Sequence, residues 1–191
     1  MADQVRIAAV AGALRQASNN RKLLALAVRE AEKAGAVVEV LDLKALALPV
    51  YDQDIEDAAF PEPVLRLKEA LARAQGLIIS TPEYNHSIPG GLKNAIDWAS
   101  RPTPPPNPFR DKVVLVMGAT PGPGGTIYAQ SHLRETLVGL GAWLLPGSIH
   151  LSQADGAFDE RGELREESKR KQMTRLVPLL VQAARQGVPK I

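Results

Sequence analysis

The sequence of 191 residues contains no cysteine. A disulfide framework, a thiolate zinc or iron–sulfur site and a cysteine nucleophile are therefore all excluded. No apolar run approaches the roughly 18 residues that a transmembrane helix requires. The first ten residues, MADQVRIAAV, also lack the basic start and the small-residue cleavage site of a signal peptide. We expect a cytoplasmic protein that does not associate with a membrane.

The chain also has little net charge and few aromatic side chains. Lys and Arg number 23 and Asp and Glu 21, which leaves a net charge of +2, and aromatic residues make up 4% of the chain. So small a positive surplus gives no reason to expect a nucleic-acid partner. Hydrophobic residues, by contrast, make up 45% of the chain, which is enough to bury a sizeable core. The length predicts a single domain over residues 1–191.

Short apolar runs alternate with helical patterns along the whole chain. Strands are predicted at 6–12, 37–43, 76–80, 113–120 and, interrupted by proline and glycine, 142–150. Helices are predicted at 20–34, 63–74, 91–99, 126–140 and 163–186, with Pro178 expected to kink or break the last one. This alternation is typical of an α/β fold with a doubly wound, five-stranded parallel sheet and helices on both faces.

Two connections are longer than the roughly two to six residues usual in such sheets. They span 46–63 and 100–109 and carry apolar side chains among prolines, namely Val50, Ile55, Phe60 and Phe109. Exposed on a monomer, these side chains would form an apolar patch of the kind that marks an association surface. We therefore expect a homodimer or homotetramer, unless both loops fold back on their own domain.

The loop after the first strand, GALRQASNN at 12–20, leads from a glycine into the start of a helix. Backbone N–H groups at a helix N-terminus favour an anion, and Arg15, Ser18, Asn19 and Asn20 add side-chain donors. A phosphate suits this place, although Ser18 or Asn20 could equally be a simple helix cap. Neither a dinucleotide fingerprint nor a P-loop motif is present.

Two further loops follow the third and fourth strands, at the same edge of the sheet. TPEYN, at 81–85, places a proline, a carboxylate, an aromatic ring and an amide in one turn, which could form a wall for a flat ligand. The alternative is an ordinary turn followed by a core helix, and core packing is the better interpretation of Leu92, Ile96 and Trp98. GATPGPGGT, at 118–126, offers the Thr120 hydroxyl and glycines that permit close backbone approach.

The motifs GALRQASNN, TPEYNHSIPGGLKNAIDW and GATPGPGGT together resemble those of the NADPH-dependent FMN reductase family, a flavodoxin-like group. The resemblance implies that Arg15, Ser18 and Asn20 hold the FMN phosphate. It further implies that the isoalloxazine ring is bordered by Pro82, Glu83, Tyr84, Asn85, Thr120 and Gly122. The chain departs from the family pattern at Ala13, where serine is usual, and at His86, where tyrosine is common.

The resemblance also implies an activity, in which hydride passes from NADPH or NADH through bound FMN to a small acceptor. Quinones, azo compounds, metal oxyanions such as chromate, and free flavin are the expected acceptors. The flavin carries this chemistry, so no catalytic side chain is expected. A metal site is not expected either, because His86, His132 and His150 are scattered along the sequence. The alternatives are a flavodoxin-type electron carrier and an interaction module without a ligand.

Overall fold

The computed structural model describes residues 4–102 and 105–190. Its sheet contains β1 (Arg6–Ala11), β2 (Val37–Leu41), β3 (Gly76–Ser80), β4 (Val113–Ala119), β5 (Trp143–Leu144) and β6 (Ile149–Leu151). The order is β2-β1-β3-β4-β5, with β6 also pairing with β4, and all these pairs are parallel. The doubly wound parallel sheet is thus confirmed. The predicted fifth strand is interrupted as expected, at Pro146 and at Gly147, whose φ is 99°. It pairs with β4 in two short pieces, so the sheet has six strands instead of five.

The longer helices cover both faces of the sheet, as predicted. They are α1 (Asn19–Lys33), α4 (Glu62–Arg73), α5 (Gly90–Ala99), α6 (Ile127–Gly139) and α7 (Glu167–Gln186). One face packs on α1 and α7, and the other packs on α4, α5 and α6. Side chains alternate between these two cores along each strand, so that Ile7 and Ala9 face one core while Ala8 and Val10 face the other. Helix α7 continues through Pro178 without a break.

The first long connection contains a short helix that the sequence did not predict, α3 (Gln53–Ala58), and a second one, α2 (Leu43–Leu46), ends where this connection begins. The connection folds back on α5: the Pro49 carbonyl accepts hydrogen bonds from Asn94 Nδ2 and Trp98 Nε1, both at 2.8 Å. Phe60 packs edge-on against Trp98, with ring centroids 5.5 Å apart. Leu92, Ile96 and Trp98 are buried, so the core interpretation of these three side chains is confirmed.

The expectation of an exposed apolar patch on the long loops was wrong for two of its four side chains. Phe60 packs on Trp98, and Phe109 is 2% exposed within the core. Val50 remains 82% exposed and Ile55 37% exposed. Thr103 and Pro104 of the second loop lie outside the described residues. The long loops therefore supply little of the association surface predicted from them.

Two lysines are buried at the ends of helices. Lys68 Nζ donates to the carbonyls of Ala99 and Arg101 at the C-terminus of α5, at 3.0 and 2.5 Å. Lys112 Nζ donates to the carbonyl of Ala74, which follows α4. Burial lowers the pKa of each lysine to about 8, while both ammonium groups supply donors to helix carbonyls that lack a partner within the helix.

None of the helices in residues 4–102 and 105–190 combines the length and the apolarity that a bilayer crossing requires.

Candidate functional site

A cleft of about 200 Å³ opens at the carboxyl ends of β1, β3 and β4, between the three loops singled out in the sequence. Strand order reverses between β1 and β3, and ligands of open parallel sheets bind at such a reversal. Seven of the nine predicted site residues line the cleft: Arg15, Ser18, Asn20, Pro82, Glu83, Tyr84 and Thr120. Asn85 and Gly122 each lie one residue beyond this lining, after Tyr84 and Pro121.

One end of the cleft is formed by the N-terminus of α1. Ser18 is the N-cap, and its Oγ accepts a hydrogen bond of 3.1 Å from the Asn20 backbone N–H. The capping alternative for Ser18 is thereby confirmed, and the hydroxyl proton can still be donated to a ligand. Arg15 is exposed and has no hydrogen-bond or ion-pair partner in the part of the chain that the structure describes. A helix N-terminus beside an unpaired guanidinium fits a phosphate group.

The Asn20 side chain lies beneath this end of the cleft and is 3% exposed. Its Nδ2 donates to the Ala119 carbonyl at 2.8 Å, and its Oδ1 accepts from the Ala119 N–H at 2.9 Å and from Ser80 Oγ at 3.0 Å. Asn20 therefore ties the start of α1 to the ends of β3 and β4. The neighbouring Asn19 also lines the cleft, and its Nδ2 donates to Asp155. Asn19 belongs to the same sequence motif, but the family resemblance implied no role for it, because the pair of asparagines does not show which of them faces the ligand side.

The opposite wall is a tight turn after β3. Tyr84 and Ser87 exchange backbone hydrogen bonds of 3.2 and 3.0 Å. The two central residues, Asn85 and His86, both have left-handed backbone conformations, with φ of 50° and 58°. A two-residue turn of this kind needs positive φ at both positions, which asparagine tolerates better than histidine. The turn holds Tyr84 at the mouth of the cleft, where it is 54% exposed.

The Glu83 carboxylate joins this turn to α6. Its Oε2 accepts hydrogen bonds from the Tyr128 and Ala129 N–H groups, at 2.9 and 3.1 Å, in the first turn of that helix. Its Oε1 lies 3.6 Å from His86 Nδ1, and the His86 ring packs edge-on against Tyr128. No local pattern in the sequence predicts this contact, because Glu83 and Tyr128 are 45 residues apart.

The third loop packs directly on the second. A Cβ added at Gly118 would lie 1.9 Å from Thr126 Oγ1 and 2.5 Å from the Thr81 carbonyl oxygen. Thr126 is fully buried with a φ of 62°, and Gln130 Nε2 donates to its hydroxyl. The sequence predicted a close approach between the backbone of this glycine-rich loop and a ligand. At Gly118, the close neighbours are protein atoms instead. Near the cleft, the Gly122 N–H donates to Thr120 Oγ1 at 3.3 Å.

The model of the NADPH-dependent FMN reductases matches residues 5–156. The chain belongs to this family. The reductase is 39% identical over 171 residues to an NAD(P)H-dependent FMN reductase of Pseudomonas aeruginosa, covering 89% of this chain and 90% of that protein. It is 40% identical over 148 residues to a quinone reductase of Escherichia coli, covering 76% of each.

Among solved structures, the flavoenzyme NAD(P)H:(acceptor) oxidoreductase FerB of Paracoccus denitrificans superposes on the reductase with a TM-score of 0.83. The two share 33% identity, and the match covers 96% of this chain and all of the FerB chain. The predicted family and the flavodoxin-like fold are therefore confirmed. The prediction of an oxidoreductase with FMN and NAD(P)H is confirmed at the level of the family.

Proposed function

We propose that residues 1–191 form one flavin domain, which binds one FMN per chain in the described cleft and passes electrons from NAD(P)H to a quinone. The observation that carries this proposal is the pairing, in one cleft, of an unpaired guanidinium beside a helix N-terminus with a rigid turn at the opposite wall. FMN supplies the hydride chemistry when it is bound. The chain supplies position and polarity.

We assign a part to each predicted residue from its position in or beside the cleft. Arg15, the Ser18 hydroxyl and the amides at the start of α1 bind the phosphate, and Asn20 supports them from beneath through Ala119 and Ser80. The ring is placed by the turn that contains Pro82, Glu83, Tyr84 and Asn85. Thr120 and Gly122 border its other side. Serine at position 13 would add a hydroxyl that Ala13 lacks, but the donors just named do not depend on it.

A quinone is the first acceptor to test, because the Escherichia coli relative is named a quinone reductase. Azo compounds, chromate and free flavin are further acceptors that we assign to the same open cleft. Both NADH and NADPH should be assayed as donors. We place the reductase in the cytoplasm, where these nucleotides are available, and cell fractionation tests this location.

The deciding experiment combines a flavin titration with steady-state kinetics. The purified protein should bind one FMN per chain, shown by its visible spectrum, and should oxidise NAD(P)H when a quinone is present. Because one cleft serves donor and acceptor in turn, rate plots at several quinone concentrations should be parallel. Binding of FAD instead of FMN, or of no flavin, would refute the proposal. Flavin binding with no NAD(P)H oxidation would favour the electron carrier.

We also propose a homodimer or homotetramer with the flavin near the subunit boundary. Support comes from apolar side chains beside the cleft, rather than from the long loops: Leu14, Tyr84, Ile127 and Tyr128 are 44 to 54% exposed. Exposed apolar groups gathered at one site mark association surfaces. Light scattering at micromolar concentration should give two or four times the chain mass of 20.5 kDa. A fully active species at the chain mass would refute the oligomer.

A further inference from the structure

We infer that Glu83 is a positioning residue for the flavin. Its carboxylate fastens the ring-binding turn to α6, and its charge makes the cleft bind reduced FMN less tightly relative to oxidised FMN. This inference rests on the proposed FMN site. It gives Glu83 a different part from its neighbours Pro82 and Tyr84, since its side-chain oxygens are committed to protein groups before any ligand binds.

The fastening follows from the hydrogen bonds of one oxygen atom. Glu83 Oε2 accepts from both Tyr128 N–H and Ala129 N–H, two of the amides that α6 cannot satisfy within itself. The next residues of the turn, Asn85 and His86, have left-handed conformations that the chain does not favour on its own. A strained turn persists only where its surroundings determine it, and the Glu83 bonds anchor this one at its start.

The effect of the Glu83 charge depends on the groups that surround the carboxylate. The Glu83 side chain is 16% exposed, and no lysine or arginine of the described residues lies within ion-pair distance. The imidazole Nδ1 of His86, 3.6 Å from Oε1, belongs to a side chain that is 78% exposed, and it is charged only when protonated. Hydride transfer from NAD(P)H to neutral FMN yields NAD(P)⁺ and reduced FMN with one additional negative charge. A carboxylate in the cleft wall repels that charge, so it disfavours reduced FMN.

Two substitutions separate the fastening from the charge. In Glu83→Gln, one amide oxygen can still accept both N–H bonds, because in the native protein both bonds go to a single oxygen, and the charge is lost. Glu83→Ala removes the bonds and the charge together. Asp159→Asn is the matched control, because Asp159 Oδ1 also accepts from two backbone N–H groups, those of Arg161 and Glu163, outside the cleft lining.

The test measures the dissociation constants of oxidised FMN and of anaerobically reduced FMN, together with the midpoint potential against a reference dye. We expect Glu83→Gln to bind oxidised FMN as the native protein does and reduced FMN roughly 3- to 10-fold more tightly, which raises the potential. We expect Glu83→Ala to bind oxidised FMN about 10-fold more weakly, with faster hydrogen exchange at residues 82–88. Asp159→Asn should change neither constant.

An unchanged or lower affinity of Glu83→Gln for reduced FMN, relative to oxidised FMN, would overturn the charge effect. Native-like binding and hydrogen exchange in Glu83→Ala would overturn the fastening. The glutamine variant keeps the inference falsifiable if the alanine variant does not fold. Failure of the native protein itself to bind FMN would refute the proposed function instead, so the two failures are distinguishable.

Discussion

The two ends of the cleft are built in opposite ways. At the α1 end, the Arg15 guanidinium is exposed and unpaired among the described residues, so a bound anion would complete its hydrogen bonding. At the turn after β3, Glu83 and Thr126 already bond to protein groups, and Gly118 packs without spare space. We therefore propose that one end recognises the ligand by charge and the other by a shape that exists before the ligand binds. With such a division, only the charged end has to become ordered when a ligand binds.

The largest effect is expected at the end that works by shape. Gly118→Ala would place a Cβ 1.9 Å from Thr126 Oγ1 and 2.5 Å from a backbone oxygen, so the second and third loops must separate. We expect a loss of at least about 3 kcal/mol in the free energy of unfolding, measured by urea denaturation. The control is Gly124→Ala, in the loop that follows β4, where a Cβ meets no atom within 4 Å. Equal stability of the two variants would show that this wall is not rigid.

Asn20→Ala should have the next largest effect, because Asn20 ties the start of α1 to the ends of β3 and β4. The substitution leaves the Ala119 N–H and carbonyl and the Ser80 hydroxyl without their buried partner. We expect a loss of about 2–4 kcal/mol in the free energy of unfolding. Asn19→Ala, which removes one part-buried bond to Asp155, should cost about 1 kcal/mol. Equal stability of the two asparagine variants would show that Asn20 does not tie the start of α1 to the ends of β3 and β4.

Arg15→Ala tests the end that works by charge. We expect FMN binding to weaken by about 1.5–3 kcal/mol, the usual value for losing a hydrogen bond to a charged group. Because Arg15 contacts no partner in residues 4–102 and 105–190, the flavin-free variant should unfold within about 0.5 kcal/mol of the native protein. Isothermal titration and urea denaturation provide the two measurements. Unchanged FMN affinity would remove Arg15 from the site.

The smallest effect concerns the strain in the turn. Glycine pays no steric penalty at the φ of 58° found at His86, whereas alanine does. Both His86→Gly and His86→Ala lose the contacts with Glu83 and Tyr128, so their difference isolates the backbone. We expect the glycine variant to be more stable by about 1 kcal/mol in thermal unfolding. An alanine variant of equal stability would mean that the turn relaxes when the ring is removed.

Much of this fold follows from local sequence signals, and some of the signals were overlooked. The apolar runs and helical spacing predicted the strands and the long helices. The sequence around α2 and α3 also carried signals, because Asp42 and Asp52 are their N-caps and accept hydrogen bonds from Lys44 N–H and Asp54 N–H. Asp42 lay within the predicted strand 37–43, and the prolines and acidic residues of the 46–63 loop masked the cap at Asp52. Phe60 is not part of an exposed patch because it packs on Trp98, 38 positions away. No local pattern specifies that partner.

The cleft shows the same limit. The three loops and their family resemblance located most of its lining, because the carboxyl ends of neighbouring parallel strands must lie together. The internal partners were beyond local reasoning. Asn20 bonds to Ala119, 99 residues away, and Glu83 bonds to Tyr128, 45 residues away. Both polar side chains were expected to face a ligand, and tertiary packing instead gave their oxygens to backbone N–H groups and, for Asn20, to a hydroxyl as well.

The two buried lysines make folding a proton-releasing process in alkaline solution. Lys68 and Lys112 have folded pKa values of about 8, against an ordinary value of 10.5. Between these two values the unfolded chain holds more protons than the folded chain, so the contribution of both lysines to stability rises with pH. Below pH 8 each ammonium is kept charged at a cost in stability. The contribution of these two buried groups to the free energy of unfolding therefore grows between pH 8 and 10.5, and Lys68→Met should reduce that growth in urea denaturation.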